Sequence, residues 1–398
     1  MDDVIIVGAG PAGAVAATVL ARAGVRVRLI DRAAFPRDKL CGDTVNPGTL
    51  ALLRRLGLSE AIEDHGLAVH GMRVTGEHGV VIEGRYSRGL RGRALMRRDV
   101  DWALVRGAMA AGAAFDPSVP VRRAIVDEAA GRRAIVGVGI GGRGARADGG
   151  RELRARVIIA ADGRRSTLAF GLGLACHPTR PRRWAIGAYF ENADPKTTIE
   201  AHAPGSVFGE MHVRRGRYIG IAPVPGALTN VCLVRPSRPG DPSFGDPASA
   251  LRAELARDSL LRDRFADARI VHPPVVLGPL AVDVPRAAAL DGLLLAGDAA
   301  GFIDPMTGDG LRFAVRGGEL AASAALEALE HGWIGVHDRL AARRREEFRA
   351  KWRFNRALRT LVASPRLVSA AAIGARLAPV VLRSIIAYAG DCGSECSS

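Results

Sequence analysis

The sequence predicts an α/β fold in which a parallel sheet carrying a dinucleotide site is interrupted by an inserted, mainly antiparallel β domain and followed by a C-terminal helical segment. Three observations predict it. An apolar, β-branched run, Val4–Val7, breaks at glycine and passes into a helical pattern. Two later runs, Val157–Ala160 and Leu293–Ala296, repeat that continuous apolar character, which marks strands buried on both faces. Between them, residues 180–276 change character: strand-like segments fall near 184–190, 207–213, 217–222 and 229–234, with much of the proline and aromatic content.

Taken in order, the first strand ends at Gly8-Ala9-Gly10-Pro11-Ala12-Gly13, and a helix follows through Val15, Val19 and Leu20. A second strand, Val25–Ile30, ends on Asp31 and Arg32. The spacing has a mechanical reading as a Rossmann-like fingerprint. Gly8 permits the turn, Gly10 lets backbone approach a pyrophosphate, and Gly13 lets helix and strand pack closely. Pro11 and Ala12 open a helix whose N-terminal N–H groups and dipole face the phosphates. Asp31 stands where a carboxylate accepts hydrogen bonds from ribose hydroxyls. Ala17 and Gly24, small residues on the helix and at its turn, complete the pattern.

An irregular stretch, residues 32–48, leads to a helix over Thr49–Leu56. Residues 69–84 alternate in strand fashion, and Arg97-Arg98 opens a helix running to about Ala111. Short strands fill residues 119–157, with a low-complexity hairpin tip at 141–150. The strand Val157–Ala160 delivers Asp162-Gly163 at its C-terminal end, where ligands of such sheets collect. Leu293–Ala296 delivers Gly297-Asp298, and a long helix follows from about Leu311 to Glu330. The remainder is arginine-rich and helical, broken near Pro365 and Pro379. This organisation divides the chain into a discontinuous nucleotide-binding domain (1–72, 93–179 and 277–330), a substrate domain (73–92 and 180–276), C-terminal helices (331–390) and a tail (391–398).

Bulk properties narrow the partners. The net charge of +15 is almost entirely arginine, lysine occurring only at Lys39, Lys196 and Lys351, and no nucleic-acid motif accompanies it. A nucleic-acid partner is therefore not expected. An anionic lipid surface, an acyl carrier protein or a phosphorylated substrate stay open as targets of that charge. The five cysteines are odd in number and scattered, which argues against a disulfide framework. Cys392 and Cys396 read as incidental thiols of a frayed terminus, a redox or metal-binding pair being the alternative. No metal site is expected. The absence of a charged-then-apolar leader and of a membrane-length apolar stretch leads to the expectation of a cytoplasmic protein, or one peripheral to the inner membrane face. Leu361–Tyr388 mixes apolar residues with Arg366, Arg376 and Arg383; it is expected to cover the substrate pocket, with an amphipathic membrane surface as the alternative.

The fingerprint at Gly8–Gly13, the pair Asp162-Gly163 and the run Gly297-Asp298 with Gly308-Asp309-Gly310 together resemble the FAD-dependent superfamily sharing the p-hydroxybenzoate hydroxylase fold. That group includes aromatic hydroxylases, flavin-dependent halogenases and geranylgeranyl reductases. The resemblance runs from Val4 to about Glu330 and is thinnest over 180–276. It implies FAD as cofactor and transient docking of NAD(P)H as electron donor. It assigns the ribityl chain to Asp298, beside Gly297. The turn Gly308-Asp309-Gly310, with Pro305 before it and Leu311 after it, is assigned to the pyrimidine end of the isoalloxazine. Asp162 and Gly163 fall to contacts near the pyrophosphate, and Arg98 to a further FAD contact.

At finer resolution Gly301 stands where hydroxylases often place histidine after their Gly-Asp motif, and Thr307–Gly310 is closer to the reductases. The halogenase Trp-x-Trp-x-Ile-Pro segment is replaced by Tyr218-Ile-Gly-Ile-Ala-Pro223. Tyr218 and Pro223 match the reductase version of that segment, while Gly220 and Ala222 replace bulky aromatics and predict a wider pocket. Lys39-Leu40-Cys41-Gly42 resembles a reductase segment near the flavin, making Cys41 a candidate active-site thiol with Lys39 or Arg37 to lower its pKa; a small packing residue is the other reading. Tyr218 is a candidate catalytic residue of the pocket, and His212 a candidate proton donor. The expected function is reduction of a C=C bond in a small hydrophobic, isoprenoid- or polyketide-like substrate. The alternatives are an FAD monooxygenase using NAD(P)H and O2, a flavin halogenase and a non-catalytic flavin-binding protein.

Overall fold

The computed structural model describes residues 2–77, 79–129, 132–141, 151–179, 183–193, 207–238, 240–284, 289–303, 306–364, 367, 374 and 379–390. The expected hairpin tip (from residue 142), Pro305, Arg366, Arg376 and the Cys392/Cys396 tail lie outside them.

The first strand, Asp2–Val7, sits inside a parallel set whose order is Ala114–Asp116, Val27–Ile30, Asp2–Val7, Arg151–Ala160, Leu293–Leu295. Its alternate residues serve two cores, as period-two geometry requires. Val4 and Ile6 join Leu29, Val157, Ile159 and Leu294 on one face; Ile5 and Val7 join Ile30, Ile158, Ala160 and Leu293 on the other. Burial on both faces is why these strands read as unbroken apolar runs. The register matters most for function. Val7 pairs with both Ile30 and Ala160, and Ala160 with Leu295, so the four strands end level. The glycine turn, Asp31, Asp162 and Gly297 consequently leave the sheet at one edge.

Two helices cover the first core. Pro11–Arg22 and Gly310–His331 lie side by side, and the approach is close because Gly318 has no side chain: a Cβ there would stand 2.2 Å from the Ala12 carbonyl oxygen. The hairpin Val121–Ala129/Arg132–Ile140 pairs antiparallel with the N-terminal part of Arg151–Ala160.

The second sheet is built from chain segments far apart. Arg183–Glu191, Leu228–Pro236, Arg217–Val224 and Gly209–Arg214 pair antiparallel in that order, and Gly209–Arg214 then runs parallel to Gly71–Thr75, which pairs with Val81–Arg85. One face packs through Ile186, Phe190, Ile219, Ile221, Val231 and Leu233 against Leu251 and Leu255 of a helix, Pro247–Arg257. That helix was not among the expected elements of residues 180–276. Its start carries a legible signal, Asp246-Pro247: the aspartate caps by accepting from Ser249 N at 3.0 Å, and proline takes the first helical position. The opposite face presents Ala185, Met211, Tyr218, Cys232 and Val234 toward the first domain.

The chain then closes over this face. Leu358, Leu361 and Val362 of the helix Val336–Ala363 pack into the cluster of Tyr218, Val234 and Met306, and Ile386 of the last helix, Pro379–Ala389, lies over Gly84. The described part of the C-terminal segment thus covers the inserted sheet. Among the described residues no helix is long and apolar enough to cross a membrane.

Candidate active site

A cavity of about 600 Å³ opens where the level strand ends of the first sheet face the second. Gly8 forms its inner turn with φ +101°, and a Cβ there would lie 2.5 Å from the Ala161 carbonyl oxygen. Gly13 stands behind the wall rather than on it; its Cβ would meet Gly8 O at 1.9 Å, so the helix can approach the turn only without a side chain. Gly10, Pro11 and Ala12 reach the wall, and the nearest atom to a Cβ on Gly10 is the Arg37 guanidinium at 3.6 Å. Asp31 is buried, its Oδ2 accepting from Ala9 N and its Oδ1 from Ala33 N, both at 2.8 Å. These bonds tie the glycine turn to the second strand. Arg32 lies beside it on the wall. A bare turn, an open helix N-terminus and a fixed carboxylate suit a dinucleotide.

The second motif also reaches the wall. Asp162 Oδ2 accepts from Thr167 N at 2.7 Å, and burial raises the carboxyl above its ordinary range. Gly163 follows at the wall. Arg164 and Arg165 both donate to Gly278 O, at 3.0 and 2.7 Å, which fastens this motif to the second sheet. Burial, with Arg165 alongside, pushes Arg164 down to about 10.

Of the third motif, Gly297, Asp298, Gly308, Gly310 and Leu311 line the cavity. Asp309 does not. Its carboxylate turns back into the interior, accepting from Thr307 Oγ1 at 2.5 Å, Lys351 Nζ at 3.3 Å, and Asn46 and Asn355 Nδ2 at 3.4 Å each. The expectation placed the backbone of this turn beside the isoalloxazine, and the Asp309 carboxylate supports that turn from behind. A fully buried carboxylate needs charge and donors, and Lys351 and the two amides supply them.

Two expectations are corrected. Arg98 is not at the cavity: it faces outward, 3.5 Å from Asp38 Oδ1, and Arg97 takes the wall position. The helix begins at Arg97, so Arg97 and Asp101 share its buried face one turn apart and pair at 2.8 Å, while Arg98 is rotated away. His212 is not on the wall either. Alternation along Gly209–Arg214 puts it opposite Met211, with Nδ1 2.8 Å from Thr75 Oγ1 and Nε2 3.1 Å from Glu210 Oε2. Burial opposes the charge of Glu210, yet the bonds from His212 and Arg264 prevail and hold it at about 2.

Cys41 and Tyr218 line the cavity as expected residues, with Lys39 between the two halves. The charged neighbour of the Cys41 thiol is Arg97, whose protonated form is disfavoured by burial but held by Asp101 and Cys41. Lys39 is pushed down by burial and by Arg97. Gly220 is at the wall with open space before it, its Cβ coming no nearer than 3.9 Å to Cys232 O; Ala222 is buried off the wall. The apolar end is completed by Met72, Met211, Cys232 and Leu277. Beside Cys41 lies a polar group the sequence reading passed over: Asp43, Tyr189 and Asn230, joined by bonds of 2.5 and 2.7 Å. The legible signal was Asn230, the lone amide of the strand Leu228–Pro236, directly before its apolar run Val231–Val234.

Comparison with known proteins agrees with this geometry. The FAD binding domain family model matches residues 1–353. The chain is 33% identical over 342 residues to digeranylgeranylglycerophospholipid reductase 2 of Methanopyrus kandleri, covering 82% of this chain and 78% of that one. It is 32% identical over 335 residues to menaquinone reductase of Mycobacterium tuberculosis, covering 80% and 75%. Conditioned medium factor receptor 1 of Dictyostelium discoideum is 30% identical over 344 residues, covering 82% of this chain but only 63% of the receptor. Among solved structures, the myxobacterial chondrochloren halogenase CndH superposes with a TM-score of 0.80 at 21% identity, covering 96% of this chain and 90% of the halogenase, a likeness of fold.

Proposed function

The chain belongs to the FAD-binding-domain family of flavin-dependent oxidoreductases, in the branch that includes the geranylgeranyl-type reductases, and from that membership we propose that it reduces a C=C bond in a hydrophobic isoprenoid- or polyketide-like substrate. The observation that carries the proposal is one continuous cavity with a bare glycine turn and fixed carboxylates in one part of its wall and Met72, Met211, Tyr218 and Leu277 in another. Relatives named for reduction of a prenylated phospholipid and of menaquinone support it.

The residues divide the work by their chemistry. Gly8, Gly10 and the N-terminus of Pro11–Arg22 would hold the diphosphate of FAD, and Asp31 and Asp298 its sugar and ribityl hydroxyls, each carboxylate oxygen having more than one acceptor site. The backbone from Gly308 to Leu311 would face the ring at a helix N-terminus, which favours negative charge by about 0.3–1 kcal/mol. When bound and reduced, FAD would supply the hydride for the reduction. The protein supplies the rest. Cys41, at the wall beside Arg97, holds a proton for the second carbon of the double bond. The methionines and Leu277 exclude water, and the open face of Gly220 admits a bulkier group. NAD(P)H docking transiently is the electron source in this reading, and the net charge of +15 suits collection of substrate from an anionic membrane surface or an acidic carrier protein.

The test is product analysis under strict anaerobiosis. Reduced enzyme mixed with a prenylated phospholipid is expected to return a product heavier by two hydrogens. A product carrying one atom from O2, formed only in air, would overturn the proposal in favour of a monooxygenase.

A further inference from the structure

Asp43 is conspicuous on four independent counts. It is 1% exposed, it follows the Cys41-Gly42 pair at the cavity wall, and its backbone has φ +51°, a left-handed conformation that costs a non-glycine residue roughly 1–2 kcal/mol. It also joins four segments of the chain. Its backbone carbonyl accepts from Leu95 N at 3.0 Å, and its Oδ1 from Arg97 N at 3.2 Å. Its Oδ2 is shared between Tyr189 Oη at 2.5 Å and Asn230 Nδ2 at 2.7 Å. The same Asn230 nitrogen donates to the Cys41 carbonyl at 2.6 Å. One amide therefore couples the Asp43 carboxyl to the backbone of Cys41.

We propose that Asp43 is the positioning residue of Cys41, and that its carboxyl, through the Asn230 amide it shares with the Cys41 carbonyl, sets the reactivity of the Cys41 thiol. The inference rests on the reading of Cys41 as the proton-holding residue of the wall. The bonding pattern accommodates both charge states. As an anion, Asp43 accepts all three side-chain-directed bonds. Once protonated on Oδ2, it donates to Tyr189 Oη instead and still accepts from Asn230 and Arg97, so only the direction of one bond reverses. Strain of this kind, kept in place by converging bonds, clusters at working sites.

The surroundings place the change of charge in the neutral range. Burial raises the Asp43 carboxyl to about 7 against the bonds from Tyr189, Arg97 and Asn230. The titratable and charged groups facing it are Tyr189 from Arg183–Glu191, Arg97 with Asp101 from Arg97–Ala110, and Cys41 and Asp38 from its own loop; Arg37 reaches Asp101 at 3.2 Å. Tyr189 is itself raised, by burial and then by Asp43, and stays a neutral hydroxyl. Deprotonation of Asp43 in that range puts a negative charge on the carboxyl that shares the Asn230 amide with the Cys41 carbonyl, two residues along the loop, and a negative charge close to a thiol opposes its ionisation.

The experiment is alkylation of the holoenzyme by iodoacetamide from pH 5.5 to 9, with Cys41 followed by peptide mass spectrometry and Cys176 as the internal reference. In the wild type the Cys41 profile is expected to show an inflection near 7 in addition to the thiol's own. Asp43→Asn, a residue that tolerates the left-handed conformation, is expected to remove that inflection and speed alkylation at pH 8 by about threefold to tenfold, the scale of half to one pKa change. Tyr189→Phe removes a donor to the carboxylate and is expected to move the inflection upward. Profiles that superimpose on the wild type in both variants overturn the proposal. So does a uniform change at every pH, the mark of a merely loosened loop. Because no substrate is needed, failure here is separate from failure to reduce a double bond, which would overturn the functional reading instead.

Discussion

At the scale of single residues, helical phase decides which of two adjacent arginines matters. Arg97 is buried against Asp101, and Arg98 is half-buried beside the exposed Asp38. Replacing Arg97 with Met leaves buried Asp101 with Arg37, at 3.2 Å, in place of its closest ion pair, and is expected to cost about 3 kcal/mol of stability; Arg98→Ala should stay within about 0.5 kcal/mol. Urea denaturation of both variants checks this, and equal losses would contradict the assignment. The sequence shows the arginine pair but not the residue on which the helix begins, and one position of phase rotates a side chain by about 100°. His212 failed for a related reason. Its chemistry is visible in the sequence, yet the face it occupies depends on strand register, and the alternation that turns Met211 to the cavity turns His212, with its partner Glu210, to the opposite face. Cys41 and Tyr218 were legible because loop and strand motifs placed them directly.

At the scale of elements, the parallel strands were readable because burial on both faces leaves continuous apolar runs. Their level ends follow from pairing, and they bring the three motifs to one edge. The inserted sheet was readable as strands but not as pairings: nothing local in Gly71–Thr75 announces that it runs parallel to Gly209–Arg214. The helix Pro247–Arg257 was missed inside a stretch of strand-like patterns, although its capping aspartate and proline are ordinary start signals. The contact between Pro11–Arg22 and Gly310–His331 gives a test. Gly318→Leu inserts a side chain where even a Cβ would stand 2.2 Å from Ala12 O, so the helices must part. The expected result is a loss of about 3 kcal/mol or more and release of bound flavin, read by thermal denaturation and by the yellow colour on a desalting column. Full retention of both would contradict the packing described here.

At the scale of the whole molecule, two sheets with different pairing rules enclose one space, and the described part of the helix Val336–Ala363 packs on the cavity-side face of the inserted sheet. That division lets a polar end hold a cofactor while an apolar end varies. Gly220 is the place to separate the two, because it faces open space on the apolar wall and is remote from the glycine turn. The most direct measurement is therefore anaerobic single-turnover reoxidation of the reduced wild type and of Gly220→Trp, with a prenylated phospholipid as acceptor. The wild type is expected to reoxidise with the acceptor, and the variant to bind and reduce flavin normally yet reoxidise at least about tenfold more slowly, the equivalent of about 1.4 kcal/mol in the barrier. Acceptor-dependent reoxidation at the same rate in both proteins would contradict a shared cavity, and its absence in the wild type would contradict the reductase itself.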